Sequence, residues 1–172
     1  HPQGVDYVTI DERKGPVHVE EGATIEPHVH LIGPCLIEAN ATIRSHAYVR
    51  EYTWMMVGSL LGHASESKHS LFFPGAKAPH FNYVGDSILG SNVNLGAGVK
   101  LSNLRNDGQP IGIWFDDVRR ETGLRKFGAI LGDDVQLGCN AVTNPGTILG
   151  KSSMVHPNTT VSGYHSNGSV LR

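Results

Sequence analysis

An aliphatic residue recurs every six positions along most of this chain, and few folds accommodate a period of six. Stepping from Val19 gives Ile25, Leu31, Ile37, Ile43, Val49, Met55 and Leu61. Four residues after each stand Ala23, Val29, Cys35, Ala41, Ala47, Thr53, Ser59 and Ser65, all small or of modest size. The frame returns from Leu131 through Leu137, Thr143, Leu149, Val155 and Val161, and a middle block carries it through Tyr83, Leu89, Leu95 and Leu101. A triangular coil with three flat faces explains the pattern, because one hexapeptide makes one face and 18 residues, three times six, complete a turn. The large residue points inward and the small one fills the space near the corner. No face buries its apolar side alone, so coils stack into one continuous core. Residues one turn apart then lie roughly 4.8 Å from each other, the inter-strand spacing. The glycines and asparagine beside the inward residue (Gly90, Gly96, Gly132, Gly138, Asn144, Gly150) suit corners of positive φ. The sequence therefore predicts an all-β parallel solenoid.

The frame is expected to fail twice. It blurs through Ser67, Phe73 and Pro79 and restarts at Tyr83, and it vanishes between Asn103 and Arg125. The second stretch has turn signals at Asn106-Asp107-Gly108 and Thr122-Gly123 around the run Ile111–Phe115, which predicts a hairpin-like arm inserted at about 104–125 into a single domain of residues 1–172. Insertions of this kind map to one face of a solenoid, often the binding face.

Bulk properties exclude several function classes. A formal charge of -2 offers no global field for nucleic acid or an anionic membrane. No apolar run approaches the roughly 20 residues that a membrane span needs. Cys35 and Cys139 are too far apart in sequence to suggest a disulfide framework or a metal cluster, which points to a reduced, cytoplasmic protein. The chain begins at His1 without Met and shows no signal peptide, so a trimmed chain is expected.

Some polar residues carry chemistry at meaningful spacing. Arg50 and Lys68 are 18 apart and both follow an inward position, so they stack, and two stacked cations call for an anion such as phosphate. Spacing alone is not specific, since Glu20 and Glu38 share it. His80 lies between Pro79 and Phe81, and histidine is the residue type suited to act as a base near neutrality. His28 and His46 are also 18 apart, and His63 and His69 fall at equivalent positions on successive faces by the six-residue count. A zinc site would need three converging ligands.

The run GAKAPHFNYVGDSILGSNVNLGAG (75–98), and then KFGAILGDDVQLGC (126–139), closely resembles the acetyltransferase domain of the bifunctional glucosamine-1-phosphate acetyltransferase/N-acetylglucosamine-1-phosphate uridyltransferase family. Weaker similarity covers most of the chain. The resemblance implies a left-handed coil, a hand that hexapeptide folds share and that the spacing does not supply. It implies transfer of acetyl from acetyl-CoA to the 2-amino group of glucosamine 1-phosphate, without metal, at sites on the subunit contacts of a homotrimer. Carried over by position, His80 is the catalytic base and Glu66 the carboxylate near it. Arg50 and Lys68 hold the sugar phosphate, and Tyr83, Asn94 and Lys126 bind the sugar. Ala97, Asn103 and Cys139 lie against the coenzyme, with backbone N–H groups near Ala97 stabilising the oxyanion. The chain departs from the family where an aromatic becomes Leu104, where Pro157 replaces a small residue, and in the insertion. Nothing before Val19 resembles the uridyltransferase domain, which is expected to be absent.

Two other readings fit parts of the sequence. One is a trimerisation or regulatory β-helix module of a sugar-phosphate nucleotidyltransferase, without turnover. The other is a zinc enzyme like the gamma-class carbonic anhydrases, built on the histidines.

Overall fold

A computed structural model describes residues 7–115 and 118–172. It is a left-handed parallel β-helix of about nine turns. Three eight-stranded parallel sheets form its faces, and each takes every third strand of the coil. The first face runs through Tyr48–Val49, Glu66–Lys68, Tyr83–Gly85 and Lys100–Leu101, the second through Thr53–Met55, Leu71–Phe72 and Ile88–Leu89, the third through Leu60–His63, Lys77–His80 and Asn94–Leu95. No described helix is long and apolar enough to cross a membrane.

The periodic residues form the core. Ile25, Ile43, Leu61, Ala78, Leu95, Leu137 and Val155 align in register on the third face. From Ile43 to Val155 that column is at most 2% exposed. Each buried Leu or Ile is worth about 1.5–3 kcal/mol, and the stack repeats that gain coil after coil. Side chains at the four-residue offset, such as Ala41, Ala47, Ser59 and Ser65, are buried at the corners as expected.

Two details of the repeat differ from expectation. The glycines beside the inward positions do not have positive φ. The left-handed residues come two positions later, as at Asn92, Gly98, Asp134, Asn140 and Gly146. Gly96 serves a close approach instead: a Cβ there would sit 2.6 Å from the Cys139 backbone nitrogen in the next coil. The first frame failure is also milder than predicted. Phe72, Ala78 and Val84 point inward, not Phe73, Pro79 and Tyr83. Two corners, Lys68-His69-Ser70 and Gly85-Asp86-Ser87, are each one residue short, so the register steps by 17 at Glu66↔Tyr83 and Leu71↔Ile88. The coil itself is uninterrupted, and His80 lies in a regular part of it.

The insertion leaves the corner after Leu101 and returns at Ala129, so Ile88 pairs with Ile130, 42 residues on. Within it, Gly112–Phe115 and Val118–Glu121 form an antiparallel hairpin, as the sequence suggests. Ile111 is buried and Phe115 packs edge-on against Tyr164 at 4.7 Å, which ties the arm to the coil.

Candidate active site

The first face meets its neighbours at two corners, and the predicted residues divide between them. At the corner entered from the third face, backbone N–H groups link successive coils: Gly98 donates to the His80 carbonyl (2.9 Å), Asn140 to Ala97 (2.8 Å) and Asn158 to Cys139 (2.9 Å). These bonds place His80, Ala97, Cys139 and Pro157 in one column. His80 is exposed, and its own N–H donates to Asn82 Oδ1 at 2.9 Å. Its imidazole has no hydrogen-bond partner among the described residues. At Ser45, lower in the same column, the backbone N–H is capped by Glu26 Oε2 at 2.8 Å. No acceptor reaches the Ala97 N–H among the described residues, which leaves it available to a ligand.

On the face beyond that corner lies a cleft of about 420 Å³ lined by Ala64, Glu66, Phe81, Asn82, Tyr83, Lys100, Ser102, Asn103 and Val142. Glu66, Tyr83 and Lys100 stand side by side on successive strands. The cleft thus runs from the residue after His80 to the second corner.

That second corner is a network of charge. Lys68 Nζ, with its side chain only 7% exposed, is held by Asp86 Oδ2 at 3.2 Å. Asn103 Nδ2 donates to Asp86 Oδ2 and to the Tyr83 hydroxyl (3.1 Å). His69 Nδ1 stands 3.5 Å from the other Asp86 oxygen. Arg50 Nη1 donates to Glu66 Oε1 at 2.9 Å, and Glu51 lies 3.7 Å from Arg50 Nε while accepting from Lys14. Gly85 makes room for this network, since a Cβ there would sit 2.6 Å from the Tyr83 hydroxyl and 2.7 Å from Asn103 Nδ2.

The environment sets the ionisation of these groups. The hydrogen bond to Glu66 raises the Arg50 guanidinium further above its already high value. Burial, and then the Glu66 carboxylate, push the Tyr83 phenol up, so it stays protonated at neutrality. Burial, and then the Lys68 charge, hold the His69 imidazole below its ordinary value. Burial in the core pushes the Cys35 thiol up to about 11, making it an inert packing residue.

Measured against the sequence reading, the structure gathers Glu66, Tyr83 and Asn103 around one cleft, and His80, Ala97 and Cys139 in the column at its edge. Arg50 and Lys68 do stack, but without the repulsion that the sequence argument invoked. Each has its own carboxylate, and neither lines the cleft. Asn94 lies on the third face, in register with Lys77 and Gln136. Lys126 is exposed at the second corner, bridged to Leu104. Sequence reasoning missed Asp86, although its distance of 18 from Lys68 and its opposite charge mark it as a stacked partner.

The histidine reading fares differently. His28 and His46 stack at 5.1 Å, with Tyr7 against His28 and His63 edge-on to His46 at 5.5 Å. His63 and His69 are not equivalent: His69 is itself the left-handed corner residue (φ 45°), whereas Ala64 takes that place after His63. The shortened corner after Lys68 causes the offset. No group of three or more His, Cys, Asp or Glu is arranged to hold a metal among the described residues. His28 and His46 form part of an aromatic ladder.

Relatives add what geometry alone does not. No family model matches the chain. A bifunctional sugar-1-phosphate nucleotidylyltransferase/acetyltransferase of Sulfurisphaera tokodaii is 35% identical over 149 residues, 87% of this chain and 37% of that protein. The bifunctional protein GlmU of Methanococcus vannielii is 37% identical over 147 residues, 86% of this chain and 35% of that protein. The chain is a homologue of the acetyltransferase part of GlmU-type proteins. It spans little more than a third of the length of these GlmU-type relatives. Among solved structures, the UDP-N-acetylglucosamine acyltransferase of Francisella novicida superposes with a TM-score of 0.59 at 13% identity, over 84% of this chain and 60% of that one. That likeness establishes a shared coil.

Proposed function

We propose that this β-helix is an acetyl-CoA-dependent N-acetyltransferase acting on an amino-sugar phosphate such as glucosamine 1-phosphate. The observation that carries the reading is the first-face cleft, bounded by Glu66, Tyr83 and Asn103 and bordered by the His80 column, in a chain homologous to the acetyltransferase part of GlmU-type proteins.

In this mechanism the exposed His80 imidazole takes the proton from the acceptor's amino group as it attacks the thioester carbonyl. The uncapped Ala97 N–H donates to the oxyanion of the tetrahedral intermediate. Coenzyme A then leaves as the thiol. Cys139, next in the column, lies along the coenzyme, and Asn103 at the far end of the cleft closes its path. Tyr83 and Glu66 orient the sugar, with Asn94 and Lys126 supplied from other surfaces of a homotrimer whose sites lie at the subunit contacts. Arg50 is 32% exposed and keeps donors beyond those that Glu66 uses, so it reaches the acceptor phosphate. Lys68, buried against Asp86, supports it from behind. The protein works in the cytoplasm, where acetyl-CoA and sugar phosphates are found.

The test is His80→Ala in a thiol-release assay with acetyl-CoA and glucosamine 1-phosphate. Turnover is expected to fall by about 10²–10⁴-fold with little change in melting temperature, because His80 is exposed. Unchanged turnover removes His80 from the mechanism.

A further inference from the structure

We infer that Asn82 is the positioning residue that locks the base and the oxyanion donor into one frame, an inference that rests on the acyltransferase reading of the first-face cleft. Asn82 is buried in the wall of that cleft, at a corner place that Ala47, Ser65, Val99 and Ala141 fill in other coils. An amide set among such small or apolar residues must find its partners inside the protein. It finds three. Oδ1 accepts from the His80 backbone N–H at 2.9 Å. Nδ2 donates to the Gly96 carbonyl at 2.8 Å and to the Val99 carbonyl at 3.4 Å. Turned over, the amide would set its oxygen against two carbonyls and its nitrogen against an N–H, so chemistry fixes which way it points.

The bond to Gly96 gives this residue its meaning. The Gly96 carbonyl and the Ala97 N–H belong to one planar trans peptide, in which the two groups point opposite ways. Anchoring the carbonyl therefore aims the N–H. That carbonyl also accepts the turn bond from the Val99 N–H at 3.2 Å. The equivalent carbonyls of Arg44, Gly62 and Gly138 accept the turn bond too, but no side chain reaches them among the described residues. A second hydrogen bond polarises the peptide and strengthens its N–H as a donor. The same amide holds the backbone from which the His80 imidazole projects, one coil away. Both N–H bonds of the Asn82 amide are occupied, so it has no donor left for a substrate, and its role is to hold geometry.

The experiment compares wild type, Asn82→Ala and Asn82→Asp below their melting temperatures. Thiol release with glucosamine 1-phosphate gives kcat and KM, calorimetry gives acetyl-CoA binding, and hydrogen exchange reads the His80 amide. The coil accepts alanine here, since Ala47 and Ala141 occupy the same place. Asn82→Ala is expected to lower kcat by about 10–100-fold, the scale of a misplaced group near reacting atoms. KM and acetyl-CoA affinity should hold, and the His80 amide should lose protection. Asn82→Asp keeps the acceptor for the His80 N–H, but when ionised it turns an oxygen toward the Gly96 carbonyl. Protonation, which burial favours, restores a donor. Its kcat relative to wild type should therefore rise as pH falls, while the ratio for Asn82→Ala stays level. Unchanged kcat in Asn82→Ala overturns the assignment. So does a loss confined to KM, or an Asn82→Asp ratio that ignores pH. Wild type that binds acetyl-CoA without acetylating any amino sugar contradicts the acyltransferase reading instead, and exchange at the His80 amide still decides whether Asn82 holds that peptide.

Discussion

The two corners of the first face are built on different principles. The corner that carries His28, His46, Phe81, Gly98 and Asn140 keeps one length in every coil, each of these residues being left-handed at the same place. Its contacts are rings and backbone: Tyr7 on His28, His28 on His46, His63 against Phe81. The opposite corner varies. It is one residue short at His69 and again at Asp86, and after Asn103 it opens into the inserted arm. There Tyr52 stacks on His69 at 4.7 Å, but the residues around them are ionic and hydrogen-bonded, Lys68 to Asp86 to Asn103 to Tyr83. A corner of constant length is specified by local backbone preference, whereas a shortened one depends on particular side chains to bridge its coils.

Removing one partner of the ionic corner should therefore cost most. Asp86→Ala leaves Lys68 nearly buried without a counter-charge and frees Asn103. A loss of about 3 kcal/mol is expected, which denaturant unfolding would register as a lower midpoint with an unchanged slope. A loss below roughly 1 kcal/mol, the worth of a surface pair, would break the contrast between the corners.

A smaller effect is expected from pH. His69 has its folded-state pKa lowered, so below the ordinary histidine value the unfolded chain binds more protons than the folded one. Stability is thus full above about pH 6.5 and declines as pH falls through the window beneath it. His69→Asn, which tolerates the left-handed backbone, should flatten that decline in melting temperature between pH 7 and pH 5. A decline of the same steepness in the variant would assign it to other groups.

The smallest effect belongs to the regular corner. His28→Asn suits φ 66° and removes a ring from a solvent-exposed stack. Stability should change by no more than about 0.5 kcal/mol, with turnover unaltered. A larger loss would mean that the aromatic ladder holds the amino-terminal coils.

The same contrast explains what the sequence revealed. Ile25 to Leu61 and Leu131 to Val161 lie where every turn has 18 residues, so counting by six finds the core and the fold. It misplaces Phe73, Pro79 and Tyr83 because two shortened corners shift the inward positions to Phe72, Ala78 and Val84. His80, Ala97 and Cys139 are singled out by a residue-by-residue resemblance, and the column they share follows from constant corner length. Asp86 is not, because its significance is relational. It matters for pairing with Lys68 in the coil below. Charge balance around a cleft emerges only when coils are stacked.

In the proposed function, the first-face cleft presents an amino-sugar phosphate to acetyl-CoA. Thiol release from acetyl-CoA, measured with wild type over a panel of hexosamines and their phosphates, tests it most directly. Release is predicted with glucosamine 1-phosphate or another hexosamine phosphate, falling at least tenfold in kcat/KM when the phosphate is removed. No release with any amino sugar, phosphorylated or not, would contradict it.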